Sequence, residues 1–393
     1  MRRVTAVTTL ICAWAVGGGA AHGTLAATPD AIWVNPAQGN DQNAGSEQKP
    51  LKTISAALAL LPDPLEQSVT IHLAPGQYTT TGGRGMPESR LELMRRTRPG
   101  VLVRMVGDVS AGAPPILAWE SDTALIDVRE GAWWLENLQI GTFTTRQRRG
   151  VQVTGPGEVT LKNVAFRLRS LSDAGIHAQR GGQVELRGHI ALNDHLHAQA
   201  DPETFCGIVA EYHGVVRFRE RDGASLDMGN GSLSARYYGV IELGCATARI
   251  TSWNEQSNNL AINNSGRIDL HNTTLTLDAK QRRNTPIGLE HDGHLLGEDA
   301  RVIITSANDM AIALQKASTL TCNAVELRGK YDYCLWASSG SMFVGRFNGD
   351  VGRVEATTGA NINIERIDGQ LTGPVSAKHA ARISLPDRDV LPE

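Results

Sequence analysis

The sequence predicts an all-β fold: a single-stranded parallel β-helix of about eleven or more coils, each of roughly 25 residues, with three parallel sheets. Three observations lead to this prediction. Short units of the form apolar, any residue, apolar recur along most of the chain, and a second apolar position precedes most of them at a constant distance. Turn-rich segments containing many of the 41 glycines separate the units. Because no helical pattern fills the intervals, a sheet built from βαβ crossovers is excluded.

The recurring units define one strand in each coil, since alternation places their two apolar side chains on the same face. Their first residues are Trp133, Val159, Val184, Val216, Ala248, Ile268, Val302, Leu320, Met342, Ile362 and Ile383. Eight residues earlier, most units are preceded by another apolar residue, namely Leu125, Val151, Ile176, Ile208, Val240, Leu260, Ile312, Cys334, Val354 and Val375. The constant offset predicts a second strand in each coil, facing the same continuous core.

A third strand is predicted shortly after the recurring unit. Apolar runs such as 189-HIAL-192 and 324-AVEL-327 form it, and Asn137, Asn163, Gly188, Asn272 or Asn323 introduces it. Asn and Gly adopt the left-handed backbone conformation more readily than other residues, so we interpret these positions as structural parts of a sharp bend.

The first residues have the pattern of a secretory signal peptide. Arg2 and Arg3 form a basic start, a mostly apolar stretch follows, and small residues near Ala26 offer a cleavage site. We therefore predict a signal peptide over 1–26 and a single β-helix domain over 27–393, in an exported protein of the periplasm or the extracellular space. No later segment has the roughly 18 apolar residues of a membrane span. The formal net charge of −3 argues against a nucleic-acid partner.

An N-terminal cap is predicted over about 31–78. The loop 39-GNDQNAGSEQKP-50 resembles the start of a calcium loop, but the later ligands of an EF-hand are missing, and its Asn and Asp side chains suit turns that bond their own backbone. Ile54, Leu58 and Leu61 then fall on one face of a short helix. We expect this helix to close the open apolar end of the coil stack.

The opening 32-IWVNPAQGNDQNAGSEQKPLKTISAALALL-61, followed by 69-VTIHLAPGQY-78, resembles the start of the right-handed parallel β-helix proteins of the pectin-lyase-like superfamily. The resemblance covers roughly residues 31–385, mostly as architecture and spacing. It implies a right-handed helix and a polysaccharide ligand. It does not extend to the catalytic motifs of the polygalacturonases, pectate lyases or alginate epimerases, so it implies no particular reaction. It also makes Ca²⁺ a candidate cofactor, for which the sequence has no clear ligand cluster and no predicted metal site.

In that superfamily the substrate lies outside the first sheet, between loops, and the long loops here are 193–206, 224–238 and 273–286. We predict outward rows of Gln152, His177, Val209 and Ile241, and of Thr154, Gln179, Glu211, Leu243 and Asn263. The catalytic candidates are the acids and bases of this surface, His177, Glu211, Asp194, His195 and His197. The alternative is an ordinary solvated polar loop.

The second sheet offers a competing, substrate-binding face. Arginines there could clamp the carboxylates of an acidic glycan, and an indole could stack on a sugar ring. The candidates on this face are Arg187, Arg217, Arg219 and Arg249, and the stacking candidate is Trp253, near a strand end, for which the alternative is a plug of the core at a coil edge. The alternative is a set of compensating charge pairs on an exposed sheet.

Cys206, Cys245, Cys322 and Cys334 remain after removal of the signal segment. Cys322 and Cys334 fall on inward rows and are predicted to lie in the core, whereas Cys206 and Cys245, at coil edges, are the predicted disulfide.

Two functions remain open from the sequence. One is an exported enzyme, a lyase, hydrolase or epimerase acting on a polysaccharide in a groove outside the β-helix. The other is a non-catalytic binding or adhesion module of the cell envelope. The loop insertions favour the enzyme, and the missing catalytic signatures favour the module. The sequence does not fix the oligomeric state.

Overall fold

The computed structural model describes residues 29–79, 90–119, 121–144, 147–169, 174–193, 206–219, 223–253, 258–305 and 309–392. The predicted signal segment 1–26 lies outside these ranges. The chain forms the expected parallel β-helix, in which each strand pairs with its counterparts in the neighbouring coils. The pairing is parallel throughout, except that the last strand, Asp389–Val390, pairs antiparallel with Arg382–Ser384.

The first sheet contains twelve strands. In spatial order they are Leu91–Met94, Ser121–Glu130, Gln147–Thr154, Ala174–Gln179, Gly207–Glu211, Leu233–Arg236, Leu260–Asn263, Ile287–Glu290, Met310–Leu314, Tyr333–Ala337, Val354–Ala356 and Val375–Ala377.

The second and third sheets are continuous with each other, because several strands run through the bend between them. Their strands are Ala31–Val34, Val69–Leu73, Gln77–Tyr78, Val103–Gly107, Ile116–Leu117, Ala132–Ile140, Glu158–Phe166, Gln183–Leu192, Val215–Phe218, Ser225–Met228, Val240–Leu243, Thr247–Ser252, Arg267–Leu270, Thr274–Ala279, His294–Ile304, Thr319–Leu327, Met342–Asn348, Asn361–Asp368, Arg382–Ser384 and Asp389–Val390.

The bend between the second and third sheets has the backbone conformation predicted for it. Asn137, Asn163, Gly188 and Asn272 have φ between 50° and 63°. Asn163 also joins successive coils, since its Oδ1 accepts from the His189 amide at 3.1 Å. A Cβ at Gly188 would lie 2.1 Å from that oxygen, so the coil needs glycine there. Asn323 is not among the residues with positive φ.

The first bend, between the first and second sheets, repeats in nine successive coils. Two residues with positive φ are followed by a small residue, and the three positions are occupied by Arg180-Gly181-Gly182, Tyr212-His213-Gly214, Tyr237-Tyr238-Gly239, Asn264-Ser265-Gly266, His291-Asp292-Gly293, Lys316-Ala317-Ser318, Ser339-Gly340-Ser341, Thr358-Gly359-Ala360 and His379-Ala380-Ala381. The third position allows no bulk. A Cβ at Gly214, for example, would lie 2.1 Å from the Ala178 carbonyl oxygen of the preceding coil.

In two coils the strands lie at other positions than predicted. Leu233–Arg236 forms the first-sheet strand of its coil, so that Val240–Leu243 belongs to the second sheet and Thr247–Ser252 to the third. The predicted loop 224–238 therefore contains two strands, and the predicted loop 273–286 contains the strand Thr274–Ala279. Ile241 and Leu243 are core residues, not outward residues of the first sheet.

The loop that follows the first strand is a self-bonded turn that fixes the start of the helix Ile54–Ala59. Asp41 Oδ1 accepts from the amides of Lys52 and Thr53 at 2.9 and 2.8 Å, and Thr53 caps the helix by accepting from the Ala56 amide. The helix and the turn after it bury Ile54, Leu58 and Leu61 in the common core, as the spacing predicts. Its role as a lid stays a prediction.

Candidate functional site

The structure brings together two of the five predicted catalytic residues. In strand Ala174–Gln179, Ile176 and Ala178 face the core and His177 faces outward, and the register places Gln179 beside Glu211. His177 Nε2 and Glu211 Oε1 lie 3.0 Å apart. A carboxylate at this distance orients an imidazole and stabilises its protonated form. The other three candidates, Asp194, His195 and His197, lie outside the described residues.

Burial limits what this pair can do. Only 2% of the His177 side chain and 16% of the Glu211 side chain are exposed. In the same outward row Asp127, Val209 and Ser234 are also buried, whereas Gln152 in the preceding coil is partly exposed. A general acid or base has to reach its substrate, so His177 would need its surroundings to open before it could act. Its catalytic role stays a prediction.

A cleft of about 310 Å³ lies on the outer face of the second sheet, and we call it the second-sheet cleft. Trp134 forms part of it, with the guanidinium groups of Arg104 and Arg187 lying 5.3 and 5.4 Å from its ring centroid. Arg217 and Arg219 line the same cleft. Three of the five predicted substrate-binding residues therefore lie at this cleft: Arg217 and Arg219 line it, and Arg187 lies over its indole.

Sequence reasoning did not select Trp134 as a binding residue, although the available signal was simple. In 133-WWL-135, Trp133 and Leu135 face the core, so the tryptophan between them has to face outward. An outward indole can offer its ring and its N–H group to a ligand, which made Trp134 a candidate contact residue.

Ion pairs organise the charges of the second-sheet cleft. Glu136 accepts from the Trp134 indole N–H at 2.8 Å and pairs with Arg104 and Lys162, each at 3.2 Å. Burial raises the pKa of Glu136, but these donors together lower it further, so the net pKa lies below the ordinary value. Glu136 is therefore held as a carboxylate and fixes the edge of the indole.

Arg219 is the cation of this cleft with the weakest partner. Arg217 donates to Glu242 at 3.1 Å and to Gln183 at 3.0 Å, whereas Arg219 only approaches Glu242 at 4.0 Å and keeps 63% of its side chain exposed. A guanidinium in this state can pair with a carboxylate of a ligand at little cost.

A second cleft of about 500 Å³ adjoins the first and shares Leu102, Ala132 and Glu158 with it. It is lined on its far side by Arg96, Arg98 and the bend residues Glu130, Gly131 and Pro156. We call the two clefts together the trough. The trough extends from the coil of Leu102 to the coil of Arg217. These coils are four spacings apart, or roughly 19 Å.

The remaining two predicted binding residues lie outside the trough; the second-sheet placement of Arg249 is wrong, and the binding role of both residues stays a prediction. Arg249 lies in the third-sheet strand Thr247–Ser252, beside Asp227 and Thr276, because Leu233–Arg236 shifts the coil assignment. Trp253 follows the same strand, where the Lys280 ammonium lies 5.6 Å from its ring centroid.

The predicted disulfide is also absent, since all four described cysteines are free thiols. Cys206 immediately precedes a first-sheet strand, whereas Cys245 lies at the bend between a second-sheet and a third-sheet strand, so the two are at different corners of the coil. Burial raises the pKa of the Cys245 thiol to about 11 and also raises that of Cys206. Cys322 and Cys334 are buried in the core, as predicted.

Within the described residues, no group of three or more His, Cys, Asp and Glu side chains is arranged to hold a metal ion. The expectation of Ca²⁺ therefore has no ligand set in this part of the chain. The described helix is also too short to cross a membrane, and no described helix is a candidate span.

Residues 37–94 match a family model described as "Protein of unknown function (DUF1565)", which covers less than half of the chain. No curated protein matches the chain. Two solved structures of a GH136 lacto-N-biosidase from Eubacterium ramulus are similar to it. The native protein is 12% identical over 88% of this chain and 67% of that one, with a TM-score of 0.43. The selenomethionine derivative is 13% identical over 90% and 68%, with a TM-score of 0.41.

Proposed function

We propose that this protein is exported and binds an acidic polysaccharide along the trough on the outside of its second sheet. The observation that carries the proposal is the arrangement around Trp134. An indole fixed at its edge by Glu136, with two guanidinium groups over its ring, holds several hydrogen-bond donors in a fixed arrangement, which suits the hydroxyl groups and carboxylates of a sugar chain.

The charges of the trough favour an acidic ligand only near Arg219. Most of its cations are matched by carboxylates, as in the alternative reading of the second sheet. Arg219 is the exception, because it is largely exposed and only weakly paired. We expect it to receive a carboxylate of the polymer, and we expect binding to weaken as salt rises.

The test is affinity electrophoresis of the mature protein in gels containing polygalacturonate, alginate or neutral xyloglucan. Trp134→Ala should weaken binding to the preferred acidic polymer about tenfold, since it removes the stacking surface. Trp33→Ala is the matched control, because Trp33 lies on the same sheet outside the trough and stacks on His72. Absence of binding to all three polymers, or equal losses in both variants, would contradict the proposal.

A catalytic function is the second candidate, favoured by the 3.0 Å contact between His177 and Glu211. The same polymers, incubated with the protein, report on it through new reducing ends or the ultraviolet absorbance of unsaturated products. Turnover that His177→Ala abolishes and Arg217→Ala preserves would place the chemistry on the first sheet. Binding without any product supports the non-catalytic module.

A further inference from the structure

Two rows of aromatic rings lie on the first bend of two successive coils, outside the trough. Tyr212 stacks on Tyr237 with ring centroids 4.8 Å apart and ring planes 2° from parallel, and His213 stacks on Tyr238 at 5.3 Å and 8°. We call these four residues the aromatic wall. All have positive φ, a conformation that is rare for bulky residues. The coil does not need aromatic residues there, since Asn264 and Ser265 occupy the same positions in the next coil.

The wall has two outer faces, and one of them lies on the trough side. Within each row the two rings cover each other's inner faces. Tyr212 and His213 therefore form the open face toward the preceding coil, whereas Tyr237 and Tyr238 face the coil of Asn264 and Ser265. The preceding coil has Arg180 and Gly181 at the matching positions. Gly181 has no side chain, and a Cβ built on it would meet only the Gly155 carbonyl oxygen at 3.9 Å. A space therefore remains in front of His213.

This open face points toward the trough. The bend residues Gly131 and Pro156 line the trough in the coils before Gly181, and they carry no long side chain. The preceding bends also carry Glu130 and Arg180, but aromatic rings first occur at the first bend at Tyr212 and His213. Arg180 is exposed in the preceding coil, and it forms no ion pair with any residue that the structure describes.

We propose that the aromatic wall is an end subsite for the polysaccharide, in which one sugar ring stacks on the faces of Tyr212 and His213 while Arg180 binds its carboxylate. The inference rests on the proposed function and adds a specific subsite to it. Stacking covers the apolar face of a sugar, and a guanidinium fork fits a carboxylate. The proposed occupant is a sugar ring, and a second copy of the chain is the alternative that sedimentation would detect.

The test compares two variants that each remove one ring of the same stacked pair. Tyr212→Asn removes the open face, and Tyr237→Asn removes only the ring behind it; Asn is suited to both positions because Asn264 adopts the same φ one coil later. With polygalacturonate in the gel, Tyr212→Asn should weaken binding about tenfold and Tyr237→Asn less than threefold. Gly181→Asn, which fills the space in front of His213, should weaken binding as Tyr212→Asn does.

The outcomes separate the two proposals. Loss with Trp134→Ala but not with Tyr212→Asn would overturn the end subsite and leave the trough standing. Equal losses for Tyr212→Asn and Tyr237→Asn would also overturn it, because a merely exposed aromatic patch predicts that result. A wild-type protein that binds none of the polymers, or that self-associates through the wall in sedimentation, overturns this subsite, and the former result overturns the trough as well.

Discussion

Glu211 and Glu290 occupy the same outward row of the first sheet, three coils apart with Arg236 and Asn263 between them, yet their surroundings differ. Glu211 is mostly buried against His177, whereas Glu290 is half exposed and lies 3.6 Å from His291. The same residue type in the same row therefore differs in burial and in its contacts from one coil to another.

We predict that Glu211→Gln lowers the free energy of unfolding by about 1 to 2 kcal/mol, because it weakens a buried contact with His177. Glu290→Gln should change it by less than about 0.5 kcal/mol, as expected of an exposed pair. Urea denaturation followed by circular dichroism measures both. Equal changes would mean that the His177 contact contributes nothing to stability.

The sequence predicted the inward face of most strands, because alternation is a local property. It also predicted that His177 and Glu211 would be neighbours, since both lie on the outward face of adjacent first-sheet strands. It did not predict the burial of His177, because alternation tells which face a side chain takes and not how much of that face is covered. The role of Trp134 depends on Arg104 and Arg187, which come from other coils.

At the scale of elements, the coil boundaries were predicted wherever apolar alternation is strong. They were wrong around 233-LSAR-236, where the outward residues are small or charged and the apolar signal is weak. Skipping that strand moved Ile241, Leu243 and Arg249 to the wrong sheets. One missed strand in a repetitive fold shifts every assignment until the next clear bend.

The glycine column of the first bend gives a prediction for such an element. Gly214→Ala should destabilise the protein by about 3 kcal/mol, because the new Cβ would lie 2.1 Å from the Ala178 carbonyl oxygen and the coils would have to separate. Gly340→Ala is the control: its φ is +74° but no atom lies within 4 Å, so only the backbone cost of about 1 kcal/mol applies. The thermal melting temperature measures both, and similar shifts would contradict a steric cause.

At the scale of the whole molecule, one apolar core runs from Ile32 to Leu385 and contains all four described cysteines. The disulfide prediction failed because two cysteines at coil edges need not share an edge, and the sequence alone did not tell which corner each occupies. The core is held by packing between coils, without a covalent link among these thiols.

We therefore predict that dithiothreitol leaves the melting temperature unchanged. In the folded protein, a thiol reagent such as Ellman's reagent should modify fewer than one cysteine over an hour, because burial keeps the thiols protonated and inaccessible. In denaturant, all four cysteines of the protein without residues 1–26 should react at once. Fast reaction of the native protein, or a lower melting temperature after reduction, would show that a disulfide or an exposed thiol is present.

At the first bend, the position that the fold constrains is different from the positions that face the solvent. Its third position has to be small, while its first two positions accept arginine, tyrosine, histidine, asparagine, lysine or serine with the same backbone. Successive coils thus display interchangeable pairs of side chains at a fixed interval of about 4.8 Å. Substitutions at two positions per coil can therefore create or remove a ligand-binding surface along this edge without changing the core. The regular spacing also makes the edge a suitable scaffold for engineering a new binding surface.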